Sequence, residues 1–142
     1  MSKQYSVGLT TGVFDVLHPG HLNLFENCKK VCDKLVVGIC TDEYSIRYKN
    51  KKPLFNEEER LRIVSSLKSV DSAFIVSIDE VEDKTLILDR CRFDVLFSGS
   101  DWQGSERFAH TQAQFDEIGI DIVFFPYTAG ISTTDLLDRK RL

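Results

Sequence analysis

The chain has 142 residues, 42% of them apolar and 28% charged, with a net charge of −4. That length suits one domain over residues 1–142, and the acidic balance disfavours non-specific nucleic-acid binding, which draws on a basic excess. No run of about 18 apolar residues is present and the start of the chain lacks a basic-then-apolar profile, so the expectation is a cytoplasmic protein that spans no membrane.

In chain order, a first apolar run covers Ser6 to Thr11. A helical pattern follows from Pro19 to Val31, with Leu22, Phe25 and Cys28 at three-residue spacing. Lys34 to Thr41 is a short β-rich run fit for a buried strand. Asn56 to Leu67 is expected to be a helix with Asn56 as N-cap and three glutamates in its first turn. Ala73 to Ser77 and Asp94 to Ser98 are expected strands, with a helix between them at Lys84 to Cys91. Arg107 to Ile118 is a helix stopped by Gly119. Ile120 to Phe125 is the last strand, and a short helix starts at Thr133.

Strand and helix alternate throughout. The expected fold is therefore α/β, a Rossmann-like open parallel sheet of about five strands with helices on both faces. Ligands in such sheets bind beyond the carboxyl ends of the strands, where strand order reverses. Cys28, Cys32, Cys40 and Cys91 form no CxxC pair and no zinc-finger spacing. They are expected to be small buried hydrophobes.

The strongest chemical signal is the stretch from Thr10 to His21, Thr-Thr-Gly-Val-Phe-Asp-Val-Leu-His-Pro-Gly-His. It runs from a strand through a turn into a helix. Pro19 fits the first helical position, where a missing N–H costs nothing. His18 and His21 lie three apart and can face the same space. Free N–H groups at that helix start favour an anion. Two imidazoles and a helix N-terminus together make a cradle for a phosphoryl group in transfer. Metal-binding histidine pairs on one helix more often lie four apart beside an acid, and His110 is isolated, so no protein metal site is expected.

This stretch resembles the HxGH signature of the cytidylyltransferase-like nucleotidyltransferases. The resemblance implies that His18 and His21 stabilise the transition state at the α-phosphorus, that the substrate phosphate attacks directly, and that pyrophosphate leaves. It also implies contacts to the nucleotide from Thr11, Gly12, Phe14 and Asp15.

A second motif, Gly130-Ile-Ser-Thr-Thr134, opens the terminal helix. Ser132 is a natural N-cap, and the threonines add hydroxyls beside free N–H groups. It resembles the RTEGIST segment of the same superfamily, which implies phosphate contacts from Gly130, Ile131, Ser132 and Thr133. Tyr127 and Ala129 stand where that segment has Arg and Glu, so the site lacks one family cation; Tyr127 and Thr128 remain candidate nucleotide contacts.

The lysine-rich loop Lys49-Asn-Lys-Lys-Pro53 matches family lysines that reach phosphates, Lys49 and Lys51 best, with Lys52 as the alternative. Arg60 matches a family arginine that contacts phosphate. Lys68 stands where an arginine is common. Phe97-Ser-Gly-Ser-Asp-Trp-Gln-Gly104 resembles the GDDWEG stretch of glycerol-3-phosphate cytidylyltransferases, which implies a base pocket built by Gly99, Asp101 and Trp102. Thr41-Asp-Glu43 also fits the family pattern and is taken as a cap and loop feature.

The expected function is transfer of CMP from CTP to glycerol 3-phosphate or a related alcohol phosphate. Mg²⁺ would travel with the triphosphate, and a homodimer is what the resemblance implies. Two alternatives stand beside it: an adenylyltransferase acting on a sugar phosphate such as heptose 1-phosphate, and a non-catalytic nucleotide-binding module.

Overall fold

The computed structural model describes residues 3–99 and 104–126. Five strands form one sheet: β1 (Tyr5–Gly12), β2 (Cys32–Cys40), β3 (Ser72–Val76), β4 (Val95–Gly99) and β5 (Asp121–Phe125). Their order is β3-β2-β1-β4-β5, and every pairing is parallel. The chain therefore winds outward from β1 in one direction, then returns to start again on its other side at β4. That reversal opens a crevice over the carboxyl ends of β1 and β4.

The helices are α1 (Pro19–Val31), α2 (Asp42–Lys49), α3 (Glu57–Ser65), α4 (Ile78–Glu82) and α5 (Glu106–Ile118). A parallel sheet must be covered on both faces, and two separate apolar cores do this. One gathers Leu9, Val36, Val76, Val81, Ile87, Leu96, Phe108 and Phe115; the other gathers Phe14, Phe25, Leu35, Val37, Val64, Val95 and Phe97. Adjacent β2 residues, such as Val36 and Val37, point to opposite cores. This is the physical meaning of its unbroken apolar run.

Several elements begin and end as expected. Asn56 accepts from Glu59 N–H while the Glu59 carboxylate accepts from Asn56 N–H, closing the start of α3. Gly119 caps α5 with a φ of 76°, a conformation open to glycine. Cys28, Cys32 and Cys40 are buried and Cys91 half-buried, all as free thiols.

Two short helices, α2 and α4, were not legible as helices. Thr41 is a cap, accepting from Tyr44 N–H, but it starts a true helix and not a loop. The helix expected at Lys84–Cys91 is a 3-10 helix over Lys84–Asp89. The Asp83 carboxylate draws in both the N–H and the hydroxyl of Thr85, and β-branched Thr85 and Ile87 add little helix propensity over so short a span. The expected helix from Thr133 lies outside the described residues.

Close strand contact explains one glycine. A methyl group on Gly8 would come within 2.3 Å of Phe97 Cε2 and 3.1 Å of Cys32 Sγ, both buried. Gly8→Ala is expected to destabilise the fold by about 2 kcal/mol through overpacking, measured as a lowered urea midpoint at unchanged slope.

Candidate active site

The β1–α1 turn lies at the strand-order reversal, so the first motif falls in the crevice that the topology opens. His18 is the N-cap of α1 and Pro19 its first residue. Gly20 N–H donates to His18 Nδ1 at 3.0 Å, and His18 N–H donates to His21 Nδ1 at 3.2 Å. The two histidines thus form a capping box, each accepting a backbone proton through Nδ1. An imidazole whose Nδ1 accepts carries its proton on Nε2. Among the described residues neither Nε2–H has an acceptor, so each ring keeps one donor for a ligand.

The rings are stacked, with centroids 3.9 Å apart and planes 26° from parallel. Burial, then His18, then Lys49 push the His21 pKa down to about 4; burial also lowers His18. Both rings are therefore neutral near pH 7. Phe14 fixes the His21 ring, meeting it edge-on at 5.7 Å while packing on Phe25 at 5.1 Å. Phe14 and Val16 hold φ of 51° and 50°, an unusual conformation for side-chain-bearing residues. A strained loop of this kind persists only where its surroundings over-determine it.

Two contacts supply that restraint. The Asp15 carboxylate accepts from Leu54 N–H at 2.7 Å and Phe55 N–H at 3.1 Å. This fastens the histidine loop to the lysine-rich loop. Lys49 ends α2, and its charge bears on His21. Lys51 and Lys52 are exposed in the loop, whose path is set by Ser45 Oγ donating to the Lys51 carbonyl. Lys68 is exposed on the surface beyond α3, and so is His110 on α5.

Arg60 is the second restraint, and its position corrects the expected phosphate contact. It is 1% exposed. Nη1 donates to the carbonyls of Val13 at 2.7 Å and Cys40 at 2.8 Å, Nε to Phe55 at 3.0 Å, and Nη2 to the Asp42 carboxylate at 2.6 Å. Four of the five guanidinium donors are committed to the protein itself. Arg60 is a positioning residue that ties the histidine turn, the end of β2, the start of α2 and the lysine loop to one point. Asp42, its carboxylate partner, was missed as a site residue; the signal was its place directly after an apolar strand.

Thr11 and Gly12 end β1 beside this turn, and Thr10 Oγ1 donates to the Phe97 carbonyl at 3.0 Å, locking β1 to β4. Gly99 ends β4 at the same edge. Asp101, Trp102, Tyr127, Thr128, Gly130, Ile131, Ser132 and Thr133 lie outside the described residues. Among the described residues, no group of three or more His, Cys, Asp or Glu side chains could hold a metal ion, and no helix is long and apolar enough to cross a membrane.

Arg60→Leu should cost roughly 3–5 kcal/mol, because it leaves buried carbonyls and a carboxylate without their donor. The check is chemical denaturation of the variant against the parent chain.

The profile described as cytidylyltransferase-like matches residues 9–139. The glycerol-3-phosphate cytidylyltransferase of Bacillus subtilis is 37% identical over 128 residues, covering 90% of this chain and 92% of that protein. The bifunctional protein HldE of Hyphomonas neptunium is also 37% identical, over 136 residues and 94% of this chain. The chain spans only 27% of that relative's length. Among solved structures, a lipopolysaccharide core biosynthesis protein from Thermoplasma volcanium shares 31% identity at a TM-score of 0.70, covering 87% of this chain and 97% of that one. A pantoate-beta-alanine ligase from Francisella tularensis, 18% identical at a TM-score of 0.62 over 99% of this chain and 71% of its own, shares the fold. The chain belongs to the cytidylyltransferase-like family.

Proposed function

We propose that this chain acts as a single nucleotidyltransferase domain that moves CMP from CTP to a small phosphorylated alcohol, glycerol 3-phosphate being the first candidate. The observation that carries this reading is the stacked pair of neutral histidines, each with Nδ1 held by the backbone and Nε2–H left to donate. A phosphate oxygen of the acceptor attacks the α-phosphorus of CTP. A new O–P bond forms as the bond from that phosphorus to the β-bridging oxygen breaks, and pyrophosphate departs. Charge grows on the α-phosphoryl oxygens and on the leaving group. Fixed N–H donors and nearby lysines stabilise that charge without reorganising.

The proposed roles follow from the family resemblance and, for the described residues, from their place at the crevice. His18 and His21 would donate to the α-phosphoryl oxygens, helped by the first turn of α1. Lys49 and Lys51 would hold phosphate oxygens. Gly99, Asp101 and Trp102 would frame the base, and the segment from Tyr127 to Thr133 would receive the outer phosphates. Mg²⁺ would come with the nucleotide, neutralising the leaving pyrophosphate. The donor set suits a metal carried on the triphosphate, since the Asp15 carboxylate is already taken by two backbone N–H groups. A homodimer working in the cytoplasm, with its CDP-alcohol feeding cell-wall or capsule polysaccharide synthesis, completes the reading.

CTP is favoured because the glycerol-3-phosphate cytidylyltransferase relative aligns along 92% of its own length. The second reading is an adenylyltransferase for a sugar phosphate such as heptose 1-phosphate. The equal identity to a bifunctional HldE protein and the likeness to a lipopolysaccharide core biosynthesis protein support it.

Pyrophosphate release with Mg²⁺, with CTP and ATP in separate reactions and glycerol 3-phosphate as acceptor, separates these readings. Turnover with CTP alone is expected. Turnover with ATP alone would reject the first; turnover with neither nucleotide would reject glycerol 3-phosphate as the acceptor.

His18→Asn is expected to keep the N-cap and hence the melting temperature, while lowering turnover about 10²- to 10³-fold, as for a lost oxyanion-hole donor. His18→Ala should lose a similar amount of turnover and, in addition, about 1 kcal/mol of stability from the missing cap. Thermal melts alongside kcat distinguish the two.

The depressed His21 pKa also sets a pH dependence. The folded ring resists protonation that the unfolded chain accepts near pH 6.5, so its contribution to stability is present above that pH and is lost as pH falls towards about 4. A melting temperature that drops between pH 6.5 and 4 in the parent chain, and drops less in His21→Asn, is the expected result.

A further inference from the structure

Helix α2 has few apolar anchors: of its eight residues only Tyr44 and Ser45 are buried. So short a helix does not persist on its own propensity, and contacts with its neighbours hold it. Its two ends are held by different partners. At the start, the Asp42 carboxylate pairs with Arg60, and Asp42 N–H donates to the Glu57 carboxylate at 3.0 Å, both partners lying on α3. At the far end, the contacts come from α4 and α5.

Tyr48 makes that second attachment. Its hydroxyl donates to the carboxylate of Glu82, the last residue of α4. The Arg107 guanidinium, in the first turn of α5, lies 5.4 Å from the centre of the Tyr48 ring and donates to the Tyr44 hydroxyl at 3.1 Å. The two tyrosine rings, one helical turn apart, have centroids 5.0 Å apart. The Arg47 guanidinium adds a second cation 5.6 Å from the Tyr48 ring centre. Aromatic faces attract such cations. A side chain 40% exposed is thus tied to three helices at once.

The next residue is Lys49, the last of α2. Its charge bears on both His21 and Cys40. Its own side chain is exposed and long, and a lysine stem is flexible. The backbone beneath it therefore decides where the ammonium can reach. That backbone turns sharply at Asn50, with φ of 53°, and enters the lysine-rich loop. A hold on Tyr48 is a hold on this turn.

We propose that Tyr48, clamped between Arg107 and Glu82, is a positioning residue that fixes the last turn of α2 and so keeps Lys49 within reach of the histidine pair. This rests on the nucleotidyltransferase reading, in which Lys49 holds a phosphate oxygen. Tyr48 acts through Lys49 and not on the substrate.

A double-variant cycle tests the clamp, read from the His21 ring titration by NMR with no nucleotide present. Lys49→Met removes one of the causes that lower the His21 pKa, so the pKa should rise from about 4. Tyr48→Ala releases the helix end and should raise it too. With both substitutions the pKa should rise no further than in Lys49→Met alone, because the tyrosine works through that charge. An effect of Tyr48 on the burial of His21 alone would instead add to that of Lys49. Tyr48→Phe keeps the ring beside Arg107 but loses the bond to Glu82; it should give part of the rise, and it serves where the Ala variant is too unstable to titrate.

With CTP and glycerol 3-phosphate, Tyr48→Ala should lower kcat/KM about 10- to 100-fold, the scale of a misplaced contact at the reacting groups, and cost little more where Lys49 is already Met. Tyr48→Phe should recover part of the loss. The titration does not depend on turnover: the expected cycle in a chain inactive with both nucleotides would count against the enzyme reading and uphold the clamp. A His21 pKa unchanged in either single variant, or effects of Tyr48→Ala and Lys49→Met that add in full, would overturn the proposal.

Discussion

The arrangement at the crevice depends on one buried guanidinium. Arg60 gathers carbonyls from the end of β2, the histidine turn and the lysine loop, and pairs with the first residue of α2. Val13, Cys40, Asp42 and Phe55 meet just past the end of the β1–β2 ladder, whose last pair is Gly12 and Ile39. A planar cation with five donors can serve several acceptors at fixed angles, which a lysine cannot. The charge is tolerated because Asp42 is one-third exposed and keeps some hydration while neutralising it.

With the turn held, the capping box can serve two purposes at once. The backbone at the start of α1 needs acceptors, and the Nδ1 atoms provide them. That same bonding fixes each tautomer and turns Nε2–H outward. Phe14 adds its edge in support of His21. Stability of the helix start and readiness for phosphoryl transfer therefore come from the same pair of side chains.

Much of this was legible in the sequence, and the exceptions have physical causes. The β-rich run from Lys34 to Thr41 was legible as a buried strand, and so was the alternation of strand and helix along the chain. The His18-Pro19-Gly20-His21 spacing placed both rings at a helix start. The α2 helix was missed because Asp42 to Lys49 is polar along most of its length and buries only Tyr44 and Ser45. The role of Arg60 was misread because a sequence does not tell whether an arginine faces a ligand or four oxygens of its own chain.

Asp15 holds the lysine loop by the main-chain amides of Leu54 and Phe55, not by their side chains. The loop's path is thus written into a residue outside it. Leu54, 64% exposed, has no packing duty of its own. Side chains at 52 and 54 are open to exchange without disturbing the backbone they stand on. Anyone wishing to redirect this scaffold to a new phosphorylated alcohol has there a short stretch of chain whose shape is guaranteed from elsewhere.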